Sequence, residues 1–180
     1  MILGAVAAIG QNNIKRLIAY SSIGHMGYAI AGIAAGTENG FQNTILYITI
    51  YAVMNIGAFA FILSMKRGQK YIEEIDELSG ASKNQPLMSF CLLLILFSLA
   101  GIPPLAGFFA KFYIFMSVIE SGMYTLAIIG LVTTVISAFY YIRIIKIMYF
   151  DSSKKPFDNL KDLGIQGSLI LSCIILVTFF

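Results

Sequence analysis

Ser98-Leu-Ala-Gly-Ile-Pro-Pro-Leu-Ala-Gly-Phe-Phe-Ala-Lys-Phe-Tyr113 lies within an apolar run from Leu87 to Ile119 whose one charge is Lys111. As a single straight helix that run would be roughly 50 Å long, against a hydrocarbon core of ~30 Å. Gly101, Pro103 and Pro104 supply a break, because proline lacks a backbone donor and clashes with the carbonyl four residues back. Inside a bilayer the backbone groups freed at a break need partners from the protein or from a wet cavity. An ammonium at bilayer depth costs roughly 2.5–3.5 kcal/mol by insertion scales. A chain that keeps both a break and a buried base side by side points to a transport role, with Lys111 as the group that exchanges a proton.

The rest of the chain places this stretch in a membrane. Hydrophobic residues make up 58% of the 180 residues and charged residues 12%, with a mean hydropathy of +0.84. Ordinary soluble domains carry roughly 25% charged residues. Four complete apolar segments, Ile14–Gly36, Thr44–Met65, Leu87–Ile119 and Met123–Phe150, lie between apolar ends at Met1–Gly10 and Gly164–Phe180. The expected fold is an all-α polytopic membrane protein. It has about five spanning helices plus a truncated first helix, and residues 1–180 form one membrane domain. Both termini read as cut inside helices, so the chain is expected to be part of a longer one. Cys91 and Cys173 lie far apart in apolar runs and read as buried thiols.

The basic residues orient the spans. Of the 12 lysines and arginines, all but Lys111 fall in three regions that alternate to one side: Lys15 and Arg16; Lys66, Arg67, Lys70 and Lys83; and Arg143, Lys146, Lys154, Lys155 and Lys161. By the positive-inside rule that side is the cytoplasm, or the matrix of an organelle. The net charge of +3 therefore reflects topology, and no nucleic-acid partner is expected. In the long loop, Tyr71, Ile75 and Leu78 recur at helical spacing before Gly80, which predicts a short surface helix with its carboxylates solvated.

Polar residues line faces of the spans. Ser21, Ser22, His25 and Tyr28 share one face of the first full span. His25 stands ~15 Å of helical rise beyond Lys15, near mid-membrane. An imidazole at that depth serves either as a hydrogen-bonding tie between helices or as a proton relay, and this helix alone does not separate the two. A lone His without nearby Asp, Glu or Cys does not make a metal site. Thr44, Tyr47, Tyr51 and Asn55 line the second span, and Gly130, Thr133, Thr134, Ser137 and Tyr141 the fourth. Each stripe alone is more often interhelical glue. Together, around one buried lysine, they favour a hydrated path, in which Lys111 and His25 are expected to transfer protons with Lys15, Ser21, Ser22, Tyr28, Tyr51, Asn55 and Ser137 in support. Arg16 and Glu120 sit at membrane faces and read as solvated. Gly32-Ile-Ala-Ala-Gly36 matches a small-residue pattern for close helix contact.

The opening stretch, taken with Asn13-Ile-Lys-Arg-Leu-Ile-Ala-Tyr-Ser-Ser-Ile-Gly-His-Met-Gly-Tyr28, closely resembles the antiporter-like membrane subunits of respiratory complex I. The similarity extends over essentially the whole chain. Within that family the details resemble the N branch, since Lys111 stands where the M branch would carry glutamate. The resemblance implies two inverted helical repeats, with this chain forming most of the second. It matches Lys111 to the family's buried lysine on a broken helix and His25 to a central polar position. The family's glutamate and lysines of the first repeat have no counterpart here.

The implied activity is membrane-subunit service in a proton-translocating NADH:quinone oxidoreductase. NADH, FMN, iron–sulfur clusters and quinone are expected on other parts of the complex, and none in this chain. Partners would be the other membrane subunits and the lipid bilayer. The location would be the bacterial inner membrane, or the mitochondrial inner membrane if organelle-encoded. Competing readings are a subunit of a related cation/proton antiporter or membrane-bound hydrogenase, a purely structural brace, and a free-standing channel.

Overall fold

The structure, a computed structural model, describes residues 1–152, 156–158 and 162–179. Helix α1 (Ile2–Ile9) is followed by α2 (Ile14–Ala34) and α3 (Glu38–Ser64). A small hairpin of β1 (Lys66–Arg67) and β2 (Lys70–Tyr71) leads into a single 3-10 turn (Ile75–Leu78) and a one-turn α4 (Ala81–Asn84). Then come α5 (Pro86–Ala100), α6 (Ala106–Glu120), α7 (Tyr124–Phe150) and α8 (Leu163–Thr178). Among the described residues three helices, α2, α3 and α7, are long and apolar enough to cross a membrane, and α5 and α8 are shorter apolar helices.

The bundle is built for lipid. On α7, Ile128, Leu131, Val135, Phe139 and Ile142 point outward, while Thr133, Ser137 and Tyr141 are buried. Ser21, His25, Thr44 and Lys111 are buried as well. Apolar outside and polar inside is the arrangement a hydrocarbon solvent selects.

The break appears where the prolines place it. Helix α5 ends at Ala100 and α6 begins at Ala106. Gly101 adopts φ +83°, a conformation that only glycine takes without strain, and the Pro103–Pro104 peptide is cis. The two halves cross together. Gln85, just before α5, donates to the carbonyl of Phe157 at the basic end. Ser117 near the close of α6 meets Asn43 Nδ2 of α3 at 2.8 Å, at the opposite end.

Two boundaries differ from expectation. Helix α3 starts at Glu38, six positions before the apolar run, because Thr37 Oγ1 accepts from Gly40 N (3.0 Å) and caps it. Its polar first turns are stabilised by Asn43, whose side chain donates to Ser117 Oγ and to the Tyr113 carbonyl. In the small-residue pattern, Gly32 makes the close contact, since a Cβ there would lie 2.3 Å from Thr44 Oγ1. Gly36 lies past the helix in a left-handed turn and packs against nothing comparable.

The predicted surface helix over 71–80 is replaced by the hairpin and the 3-10 turn. The backbone there pairs instead with the residues before α2: Ile14 N donates to the Glu73 carbonyl and Ile75 N to the Asn12 carbonyl, both at 2.8 Å. Ile75 and Leu78 are fully buried, so the turn is a plug rather than a surface element. Its carboxylates are not merely solvated. Glu73 pairs with Lys15 at 2.6 Å and Glu77 with Arg67 at 2.5 Å.

These contacts gather the basic regions at one end, as the charge pattern requires. Arg143 Nη2 reaches Asn12 Oδ1 at 2.9 Å, and the Asp158 carboxylate accepts from Gly68 N at 2.6 Å. Lys154, Lys155 and Lys161 lie outside the described residues.

The Lys15–Glu73 pair is about two-fifths exposed on each side, so it is screened and modest. Hydrogen bonds from Lys15 and then Asn13 hold the Glu73 carboxyl below the usual carboxylate range. A carboxyl lowered on folding contributes fully above the ordinary range, and the contribution is lost as pH falls through the lowered value. Glu73→Gln should therefore speed hydrogen exchange at the Ile14 and Ile75 amides by roughly two- to fivefold at neutral pH. On acidification the wild-type rates should converge on those of the variant. Equal exchange at neutral pH would show that the pair does not hold this end.

Candidate functional site: a buried lysine at a helix break

Lys111 is 3% exposed and sits on α6 facing back toward the end of α5. An α-helix leaves its last four carbonyls without intrahelical partners. In α5 the amides of Gly101 and Ile102 take the Phe97 carbonyl, and Gly101 also takes that of Ser98. Leu99 and Ala100 remain. Lys111 Nζ donates to both, at 2.8 and 3.4 Å. The ammonium thus completes the accounting of backbone groups at the break and sits at the negative end of the α5 dipole. Gly101 leaves the room for it, because a Cβ at that position would lie 3.2 Å from Lys111 Cδ.

The same ammonium lies over the Tyr28 ring, 5.1 Å from its centroid, a cation–π placement. The Tyr28 hydroxyl meets Thr133 Oγ1 at 3.2 Å and accepts from Thr134 Oγ1 at 3.0 Å, which ties α2 to α7. His25, 2% exposed, stands edge-on to Tyr28 with ring centroids 6.0 Å apart. Its Nδ1 meets the Tyr47 hydroxyl at 2.6 Å and its Nε2 meets the Tyr141 hydroxyl at 3.2 Å. The Tyr141 hydroxyl is in turn bonded to Ser21 Oγ. Tyr51 stacks on the imidazole, centroids 4.7 Å apart. Four helices therefore converge on one buried polar layer.

The expected site residues divide. Lys111, His25, Tyr28, Tyr51 and Ser21 come together. Lys15 is at the basic face, engaged with Glu73. Ser22 and Ser137 donate to carbonyls of their own helices, Ile18 and Thr133. Asn55 is half-buried and makes no hydrogen bond among the described residues. Pro103 and Pro104 are exposed at the break. In the sequence Tyr47, Tyr141 and Thr133 stand out only as members of stripes, yet they make the hydrogen bonds that organise the layer.

Cys173 Sγ approaches the Cys91 carbonyl at 3.5 Å and ties α8 to α5. Among the described residues no group of three or more His, Cys, Asp or Glu is placed to hold a metal.

Known proteins resemble this chain in sequence and in fold. The family described as NADH:quinone oxidoreductase/Mrp antiporter, transmembrane, matches residues 1–137. The chain belongs to this family. Subunit N of the NADH-quinone oxidoreductase of Pelagibacter ubique is 59% identical over 180 residues, 100% of this chain and 38% of that protein. The chain thus spans well under half the length of that relative. A chain of respiratory complex I from Thermus thermophilus superposes with a TM-score of 0.85 at 28% identity, over 99% of this chain and 40% of the other. The Mrp complex from a Dietzia species gives a TM-score of 0.77 at 24% identity, over 88% of this chain and 29% of the other. At that identity the likeness speaks to the fold alone. Both branches of the family therefore share this bundle.

Proposed function

We propose that this chain is the C-terminal part of subunit N of a proton-translocating NADH:quinone oxidoreductase. On this reading residues 1–180 form one membrane unit, most of the second of two inverted repeats, in the inner membrane. The observation that carries it is 59% identity to such a subunit over the whole of this chain. The redox cofactors belong to other subunits, and this chain's own residues handle protons. Quinone reduction elsewhere alters charge along the membrane layer, and Lys111 responds by releasing or regaining a proton. Its surroundings suit the task. The charged form is held by two carbonyls and a tyrosine face, and no carboxylate locks it in place in this chain's described residues.

A second reading comes from the Mrp complex that shares the fold: a subunit of a cation/proton antiporter. Affinity purification of the full-length subunit from its native membrane separates the two. The expected result is co-purification of NADH-oxidising, quinone-reducing activity in an assembly of several membrane subunits. Recovery with antiporter subunits and no NADH oxidation would replace the first reading with the second.

A further inference from the structure

We infer that Tyr47 and Tyr141 are proton-carrying partners of His25, so that Ser21, Tyr141, His25 and Tyr47 form one relay from the basic side of the membrane to the buried layer. The inference rests on the function proposed above and names the residues through which its protons travel.

All four groups are buried, and every consecutive pair is hydrogen-bonded. Both imidazole nitrogens are engaged by hydroxyls, one from α3 and one from α7. A neutral imidazole offers one donor and one acceptor, and a hydroxyl on each side lets it accept at one nitrogen while donating at the other. The chain also has a direction in space. Ser21 lies about 9 Å of helical rise from Lys15. Tyr141 is two residues before Arg143, which bonds Asn12 at the basic end. Tyr47 is at the other terminus of the relay, edge-on to the Tyr28 ring at a centroid distance of 6.2 Å. Tyr28 carries the Lys111 ammonium on its face.

The step balances. A hydronium ion at the basic side gives a proton to Ser21 Oγ and is left as water, and the hydroxyl proton of Ser21 passes to the Tyr141 oxygen. The proton of Tyr141 passes to Nε2, and the Nδ1 proton passes to the Tyr47 oxygen. The hydroxyl proton of Tyr47 leaves to water or to an amine in the buried layer. Each group gains one hydrogen and loses one, at the same oxygen in the hydroxyls and at opposite nitrogens in the imidazole, so every group ends neutral with His25 in its other tautomer. Rotation of the hydroxyls and the ring resets the chain.

The test uses the full-length subunit in its assembled complex, with Tyr141→Phe, Tyr47→Phe and the double variant. Each change removes one oxygen and leaves the ring. Assembly should be normal, and proton-coupled quinone reduction should fall about tenfold or more in either single variant. The slowing in D2O should grow at least about twofold, because proton delivery becomes limiting. The double variant should be no slower than the slower single, since both block one series path. Should Tyr141→Phe fail to assemble, Ser21→Ala breaks the chain one member earlier and must show the same loss and isotope response. Wild-type rates and isotope effects in both single variants, or losses that multiply in the double, overturn the relay. Normal tyrosine variants beside a defective Lys111→Arg would remove the relay alone, whereas a normal Lys111→Arg would remove the functional reading beneath it.

Discussion

Lys111→Arg in the full-length subunit should leave the complex assembled and lower proton-coupled quinone reduction by at least about tenfold. Arginine retains the positive charge and can still donate to the Leu99 and Ala100 carbonyls that lysine serves. It does not give up its proton in proteins. The substitution therefore separates two roles that the wild-type residue combines, capping a broken helix and exchanging a hydrogen ion. Lys111→Met tests the other role. Both carbonyls would then be buried without partners, at a cost of about 1–3 kcal/mol each, so the amount of assembled complex should fall as well. Measuring assembly and coupled turnover together distinguishes the outcomes. Full turnover in the arginine variant would reduce Lys111 to a helix cap, a role the geometry already satisfies.

That double role explains why some of the site was readable in the sequence and some was not. Lys111 and Pro103-Pro104 are visible because each violates a local rule of membrane helices, and the violations are adjacent. What Lys111 touches is a different matter. Its partners are the two carbonyls left over after Gly101 and Ile102 have bonded, and that remainder depends on backbone geometry. Tyr47 and Tyr51 are one turn apart on the same stripe, with nothing in the sequence to say which would bond His25 and which would stack on it. The rotation of α3 against α2 decides that. The sequence alone groups Lys15 with the polar path because its partner, Glu73, belongs to a loop 58 residues away. The helical spacing in that loop was real, but bridging by Asn13 and Glu74 outweighs a single turn's weak propensity. The spans themselves were legible because a long apolar run has few other uses. The start of α3 was not, since its first turns are polar and are stabilised by contacts across the bundle.

Gly107→Ala should be among the most damaging small substitutions in the chain, because the break that houses Lys111 closes at that residue. A Cβ on Gly107 would fall 2.0 Å from the Ser98 carbonyl oxygen and 2.7 Å from Ser98 Oγ. The same Ser98 Oγ accepts from Gly107 N at 3.0 Å, satisfying one of the amides exposed at the start of α6. The obstacle is backbone, so no side-chain rotation relieves it, and the α5–α6 junction must open. Overpacking of this kind costs about 1–3 kcal/mol, and losing the amide's partner adds about 1 kcal/mol. A sum of about 3 kcal/mol is a large part of a typical domain's stability. The expected observation is a sharp fall in assembled complex and a lower unfolding midpoint in detergent. Lys111 function should be lost in whatever remains, because the lysine and the carbonyls it caps sit on opposite sides of this junction. Ser98→Ala is the informative companion. It removes the hydroxyl but not the carbonyl, so it should cost only the hydrogen bond and leave assembly largely intact. A Gly107→Ala complex with normal abundance and midpoint would mean that the two half-helices do not meet as closely as the carbonyl of Ser98 requires.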